Sequence, residues 1–195
     1  MYSFAQRPDT TVVDEPLYAY YLMNTDSVAE HPDADAVLRA QLPDGERVVQ
    51  EIMLGEYSTP VAVFKQMTHH LLPELRRDFL LQTANVLLIR DPRRIIASYT
   101  KVIQQPTIAD IGVRQQYELH QFLKKNDCLS AVVDARRLLE NPRVILAKLC
   151  EKLHIPFTEK MLHWEAGARP EDGVWAKHWY RKVHQSTGFQ PYVAR

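Results

Sequence analysis

The chain has 195 residues, is 46% hydrophobic and 25% charged, and balances 24 Lys/Arg against 24 Asp/Glu. That is one domain's length and an ordinary globular composition, which excludes a collagen, a disordered tail and a disulfide scaffold. The longest apolar runs, such as Val86 to Ile89, are too short to cross a bilayer, and residues 1–11 lack the apolar stretch of a signal peptide. Cys128 and Cys150 have no paired spacing and read as reduced core thiols of a cytoplasmic protein. The even total hides an asymmetry: residues 1–60 carry 3 Lys/Arg against 11 Asp/Glu, and residues 61–195 carry 21 against 13. Either the two parts fold against each other and cancel, or the basic part lines an anion site. A nucleic-acid binder would be basic overall, and this chain is not.

In chain order, Thr10 to Val13 is a β-branched run ended by Asp14-Glu15-Pro16, which predicts a strand and a loop. Residues 17–23 are aromatic and apolar, and begin a helix or a packed loop. Helices are expected over 33–41, ended by Pro43-Asp44-Gly45, and over 46–56. Pro60 to Phe64 predicts a second strand with Lys65 at its end. A helix is expected over 71–82. Asn85 to Ile89 reads as a buried parallel strand. Asp91 is then an N-cap and Pro92 a first helical residue, for a helix running to about residue 104. A longer helix is expected over about 110–126, a strand over 129–133 and a helix from Pro142. The tail, 167–195, reads as irregular. Alternating strands and helices predict a single α/β domain over 1–195 with a mainly parallel sheet.

The segment 86–101, VLLIRDPRRIIASYTK, is the strongest local signal. A strand ending at a helix N-terminus presents backbone N–H groups and the positive end of the helix dipole. Arg90 and Ser98 add a guanidinium fork and a hydroxyl, a set able to hold a phosphate. The alternative is that Arg90 pairs with a local carboxylate and Ser98 faces a neighbouring helix.

Arg90 to Ser98 resembles the 3′-phosphate-binding segment of the sulfotransferase family. Residues 12–22 (VVDEPLYAYYL), 64–73 (FKQMTHHLLP), 132–157 and 172–189 are similar to further segments of bacterial members. The resemblance implies a three-layer, P-loop NTPase-like α/β fold and sulfuryl transfer from 3′-phosphoadenosine 5′-phosphosulfate to a small hydroxyl or amine acceptor. It implies 3′-phosphate contacts from Arg90 and Ser98, with help from Arg181 and Lys182. It implies a base at Glu15, or at His69 or His70, with Lys65 on the donor phosphates. The basic-Gly motif of the family's late loop is not present.

One departure stands out. The family begins with a central strand and a 5′-phosphosulfate loop, and no GxxxxGK[ST]-like stretch occurs here. Residues 2–7 look like the end of the helix that follows that loop, which suggests an N-terminally truncated form with Met1 internal to a longer protein. Loss of a central strand would leave two neighbours with unpaired edges and a chain of low stability. A second reading follows: a degenerate, non-catalytic member that binds a nucleotide or a partner. No metal site is expected, because the eight histidines and two cysteines show no ligand spacing. Oligomeric state and acceptor identity are not legible. Trp164, Trp175 and Trp179 either stack on a ligand or pin the tail to the core.

Overall fold

In the computed structural model, residues 1–26, 31–101 and 110–193 are described. Four strands run β1 (Thr10–Asp14), β2 (Val61–Lys65), β3 (Asn85–Ile89) and β4 (Leu129–Asp134). The helices are α1 (Tyr18–Met23), α2 (Ala34–Ala40), α3 (Gly45–Arg47), α4 (Pro92–Tyr99), α5 (Val113–Lys125), α6 (Ala135–Glu140), α7 (Pro142–Lys152), α8 (Ala176–Trp179) and α9 (Arg181–His184). A π-helical turn, Val48–Met53, continues α3. The α/β class and the parallel pairing follow the sequence expectation.

The sheet itself departs from it. The described strands form two separate parallel pairs, β1 with β2 and β3 with β4, rather than one continuous sheet. Thr10 to Asp14 align with Val61 to Lys65, and Val86 to Ile89 with Ala131 to Asp134. Among the described residues β2 and β3 are therefore each paired along one edge. One core still underlies both pairs: Leu87 of β3 belongs to the cluster of Leu17, Tyr20, Val48, Phe79, Leu80 and Leu123, against which Phe64 of β2 and Leu129 of β4 also pack.

The local chemistry explains most element ends. The Asp91 carboxylate accepts from Arg93 N–H and starts α4 with Pro92 in its first turn. Asp134 caps α6 in the same way, and Asn141 with Pro142 starts α7. Four expectations need correction. Residues 71–82 do not form a helix; 3₁₀ turns at Thr68–His70 and Asp78–Gln82 take their place, with Pro73 between them. The helix after Pro92 ends at Tyr99 with Thr100 as its C-cap, and residues 102–104 of the expected span lie outside the described residues. The tail is not wholly irregular, since it holds α8 and α9. Finally, β3 is not buried throughout: Leu87 is 7% exposed, but Val86, Leu88 and Ile89 are 37%, 55% and 39% exposed. The face of Val86 and Leu88 stands in solvent, and on the opposite face the cover reaches Leu87 but not Ile89.

The tail is pinned by Trp175, which packs with Tyr18, Tyr21, Leu22 and Val37. A second tie runs through Asp172, whose carboxylate accepts from the Tyr2 hydroxyl at 2.8 Å and approaches His184 Nε2 at 2.9 Å. These contacts join residues 1–7 and the tail to β1, the strand that carries the site.

The half-covered β3 generates a test. Leu88→Thr should reduce aggregation and binding of a hydrophobic dye without lowering the unfolding midpoint. Leu87→Ala should cost about 2–5 kcal/mol in urea unfolding. Equal destabilisation by both would contradict the one-sided burial.

Candidate active site

The C-terminal ends of β1 and β2 bring two carboxylates against one lysine. The ladder closes with Glu15 N–H donating to the Lys65 carbonyl at 2.7 Å. The chain then turns sharply. Glu15 has φ 43°, the left-handed region that non-glycine residues rarely enter, and Pro16 follows. Such strain persists only where its surroundings hold it. Here Gln41 does so: its amide donates to the Glu15 carbonyl at 3.1 Å and accepts from Ala19 N–H at 3.1 Å. One side chain thus ties the turn to α1.

Asp14 and Glu15 are 5% and 6% exposed. Burying two carboxylates is costly unless they are paired and hydrogen-bonded. Lys65 Nζ donates to Glu15 Oε1, donates to the Tyr180 hydroxyl at 2.8 Å, and lies 3.5 Å from Asp14 Oδ1. The Tyr180 hydroxyl in turn donates to Asp14 at 2.8 Å. Gly173 N–H adds a longer contact to Asp14 at 3.4 Å. Burial pulls the Lys65 ammonium below its usual range, and Asp14 opposes that pull. Burial, then the Asp14 carboxylate, pushes the Tyr180 phenol up, so it remains a neutral donor. Glu15 Oε2 has no hydrogen bond among the described residues. His70 Nδ1 lies 3.9 Å from it.

Behind this quartet lies a shell of stacked rings. His70 is sandwiched between Tyr18 and Tyr21, with centroids at 4.6 and 4.8 Å. His69 stands edge-on to both Tyr21 and His70. The Tyr18 hydroxyl meets His31 Nδ1 at 2.6 Å. Gly112, at φ 64°, starts α5 against His69; a Cβ there would lie 3.3 Å from the imidazole. The α4 terminus reaches the same shell, with Tyr99 5.3 Å from Trp179.

The predicted site residues thus fall into two groups. Glu15, Lys65 and His70 meet, with His69 one ring further out. Arg90, Ser98, Arg181 and Lys182 are exposed and make no side-chain hydrogen bond or ion pair among the described residues. Ser98 lies about 10 Å along α4 from its N-cap. The helix end offers less than its sequence suggests, because the Asp91 carboxylate already takes Arg93 N–H. Asp14, Gln41 and Tyr180 were missed. Asp14 adjoins Glu15 in the same short segment, a usable signal. Tyr180 lies 115 residues from Lys65, and nothing in its spacing announces the contact.

Comparison with known proteins decides the family. A profile described as "Sulfotransferase domain" matches residues 1–193. The chain belongs to the sulfotransferase domain family. Two Arabidopsis thaliana proteins are similar over 189 residues: branched-chain-amino-acid aminotransferase-like protein 1 at 40% identity and protein 2 at 38%. Each alignment covers 97% of this chain, but only 34% and 33% of those proteins, so the chain spans about a third of their length. Among solved structures, the sulfotransferase domain from the curacin biosynthetic pathway aligns at 15% identity with a TM-score of 0.47, covering 90% of this chain and 65% of that one. No helix among the described residues of this sulfotransferase-family domain is long and apolar enough to cross a membrane, and no group of His, Cys, Asp and Glu among them could hold a metal ion.

The ring shell predicts acid sensitivity. Burial holds His69 down to about 4, His70 well below its usual value and His31 lower as well, with mutual repulsion adding to the first two. The unfolded chain binds these protons near pH 6.5 and the folded chain does not. Stability is therefore full above about 6.5 and falls as pH drops toward 4. Urea unfolding at pH 7, 6 and 5 should show this loss, and His69→Gln should flatten it. A separate change, Gln41→Ala, should cost about 1–3 kcal/mol, since it strands the Glu15 carbonyl and the Ala19 N–H.

Proposed function

We propose that this domain transfers a sulfuryl group from 3′-phosphoadenosine 5′-phosphosulfate to the hydroxyl or amine of a small acceptor, with Glu15 as the base. The observation that carries the reading is the asymmetric Glu15 carboxylate. One oxygen is held by Lys65; the other is unbonded at the carboxyl end of a parallel strand, where α/β sites open. In the transfer the bond from sulfur to the phosphate oxygen breaks and a bond from sulfur to the acceptor forms. The acceptor's proton goes to Glu15 Oε2, and adenosine 3′,5′-bisphosphate leaves.

Each further residue has a part. Asp14 and Tyr180 fix Lys65, which orients Glu15 and supplies positive charge near the donor phosphates. His69 and His70, at 5% and 1% exposure, back the site as neutral rings. Arg90 and Ser98, with Arg181 and Lys182, present the guanidinium, hydroxyl and ammonium groups that suit a 3′-phosphate, and none of them is engaged elsewhere among the described residues. The free thiols Cys128 and Cys150 fit a reducing, cytoplasmic setting.

One observation favours the second reading, a member that binds without turnover: Lys65 is already engaged by Glu15, Asp14 and Tyr180, leaving little charge for a donor. Two measurements separate the readings. Arg90→Ala should weaken adenosine 3′,5′-bisphosphate binding by about tenfold or more, as loss of charge-assisted bonds does. Unchanged affinity would remove the 3′-phosphate assignment. Glu15→Gln should retain that binding and lower sulfuryl transfer about 10²–10⁴-fold. Nucleotide binding with no transfer by the parent protein would favour the second reading.

A further inference from the structure

Past Phe189 the tail is held by two arginines. Phe189 itself packs on the core cluster of Leu146, Cys150 and Met161 and stands 5.3 Å from the Trp164 ring. From Gln190 to Val193, every hydrogen bond and ring contact to the rest of the chain, among the described residues and outside the tail, runs to Arg94 or Arg136. The Arg94 guanidinium lies 4.4 Å from the centre of the Tyr192 ring and donates to the Val193 carbonyl at 2.7 Å. The Arg136 guanidinium lies 5.1 Å from the same ring. Arg94 belongs to α4 and Arg136 to α6, so one tyrosine bridges two helices.

Those helices follow the carboxyl ends of β3 and β4, where the register sets Ile89 against Asp134. Arg90, Arg93, Arg94, Arg136 and Arg137 therefore gather at one end of the strand pair. The local carboxylates do not neutralise them. Asp91 and Asp134 accept from backbone N–H groups, and of these arginines only Arg136 has an ion pair among the described residues, with Glu140. The face of the Tyr192 ring and the Val193 carbonyl give two of the cations a weak, uncharged partner. A phosphate group offers the same guanidinium groups stronger, charge-assisted bonds. Arg90 stays exposed beside them, so an anion can reach it before the tail moves.

We propose that residues 190–193 form an autoinhibitory strap: Tyr192 and the Val193 carbonyl occupy Arg94 and Arg136, and an anion held by Arg90 opens the strap by taking both guanidinium groups. The proposal rests on the 3′-phosphate reading of Arg90. Phe189 is the fixed end on which the strap turns. The closed strap withholds two cations from the ligand, so strap and ligand weaken each other by the same factor.

Calorimetric titration of adenosine 3′,5′-bisphosphate into the intact chain tests this. Tyr192 lies outside the core clusters, so Tyr192→Ala should fold normally and bind about fivefold more tightly than the parent, the factor that matches loss of a competing cation–π contact. Arg94→Gln removes a cation from the ligand along with the latch, and should bind more weakly. Chymotrypsin cleavage after Tyr192, read by intact mass, should speed up in the parent when the bisphosphate is added. Parent-like or weaker binding by Tyr192→Ala overturns the strap, as does cleavage that the bisphosphate slows or leaves unchanged. Equal binding by parent and Tyr192→Ala, still lost in Arg90→Ala, ends the strap alone. No binding by either ends the 3′-phosphate reading and the strap with it.

Discussion

Two adjacent carboxylates at the end of a strand must be buried without unfolding the chain. Everything around the site answers that constraint. A lone buried carboxylate would be left to protonate or to pull the strand end into water. Lys65 from the neighbouring strand and Tyr180 from the tail share the charge of Asp14 and Glu15 between them. The parallel register places Asp14 opposite Lys65, so the pairing is built into the ladder before any loop is arranged. The left-handed turn at Glu15 then lets its carboxylate converge with that of Asp14 on Lys65 and the Tyr180 hydroxyl, and Gln41 holds the turn.

The tail is consequently part of the site rather than an appendage. Trp175 anchors it in the aromatic cluster, Asp172 ties it to Tyr2, and Tyr180 reaches the charged quartet. The stacked histidines extend the same economy. Neutral imidazoles between tyrosine rings provide polar but uncharged packing, which adds no further positive charge beside Lys65 and makes the shell sensitive to acid.

The segment from Arg90 to Ser98 is organised differently. Arg90 and Ser98 stand in solvent at the end of β3 and on α4, uncommitted among the described residues, whereas the charges at the ends of β1 and β2 are paired. The separation of the described strands into two parallel pairs marks the same division within the fold.

The sequence by itself determined the local features. Strand positions followed from β-branched and apolar runs, and helix starts from Asp91-Pro92 and Asn141-Pro142, because capping and proline geometry act within a few residues. Glu15 at a strand end and Arg90 before a helix were legible for the same reason. Tertiary structure alone decided which groups meet. Tyr180 finds Lys65 across 115 residues, Gln41 finds Glu15 from another helix, and β3 exposes the apolar residues that its composition would bury. Such contacts depend on how separate elements pack, and hydrophobic pattern records which residues prefer burial but not which neighbour arrives to cover them.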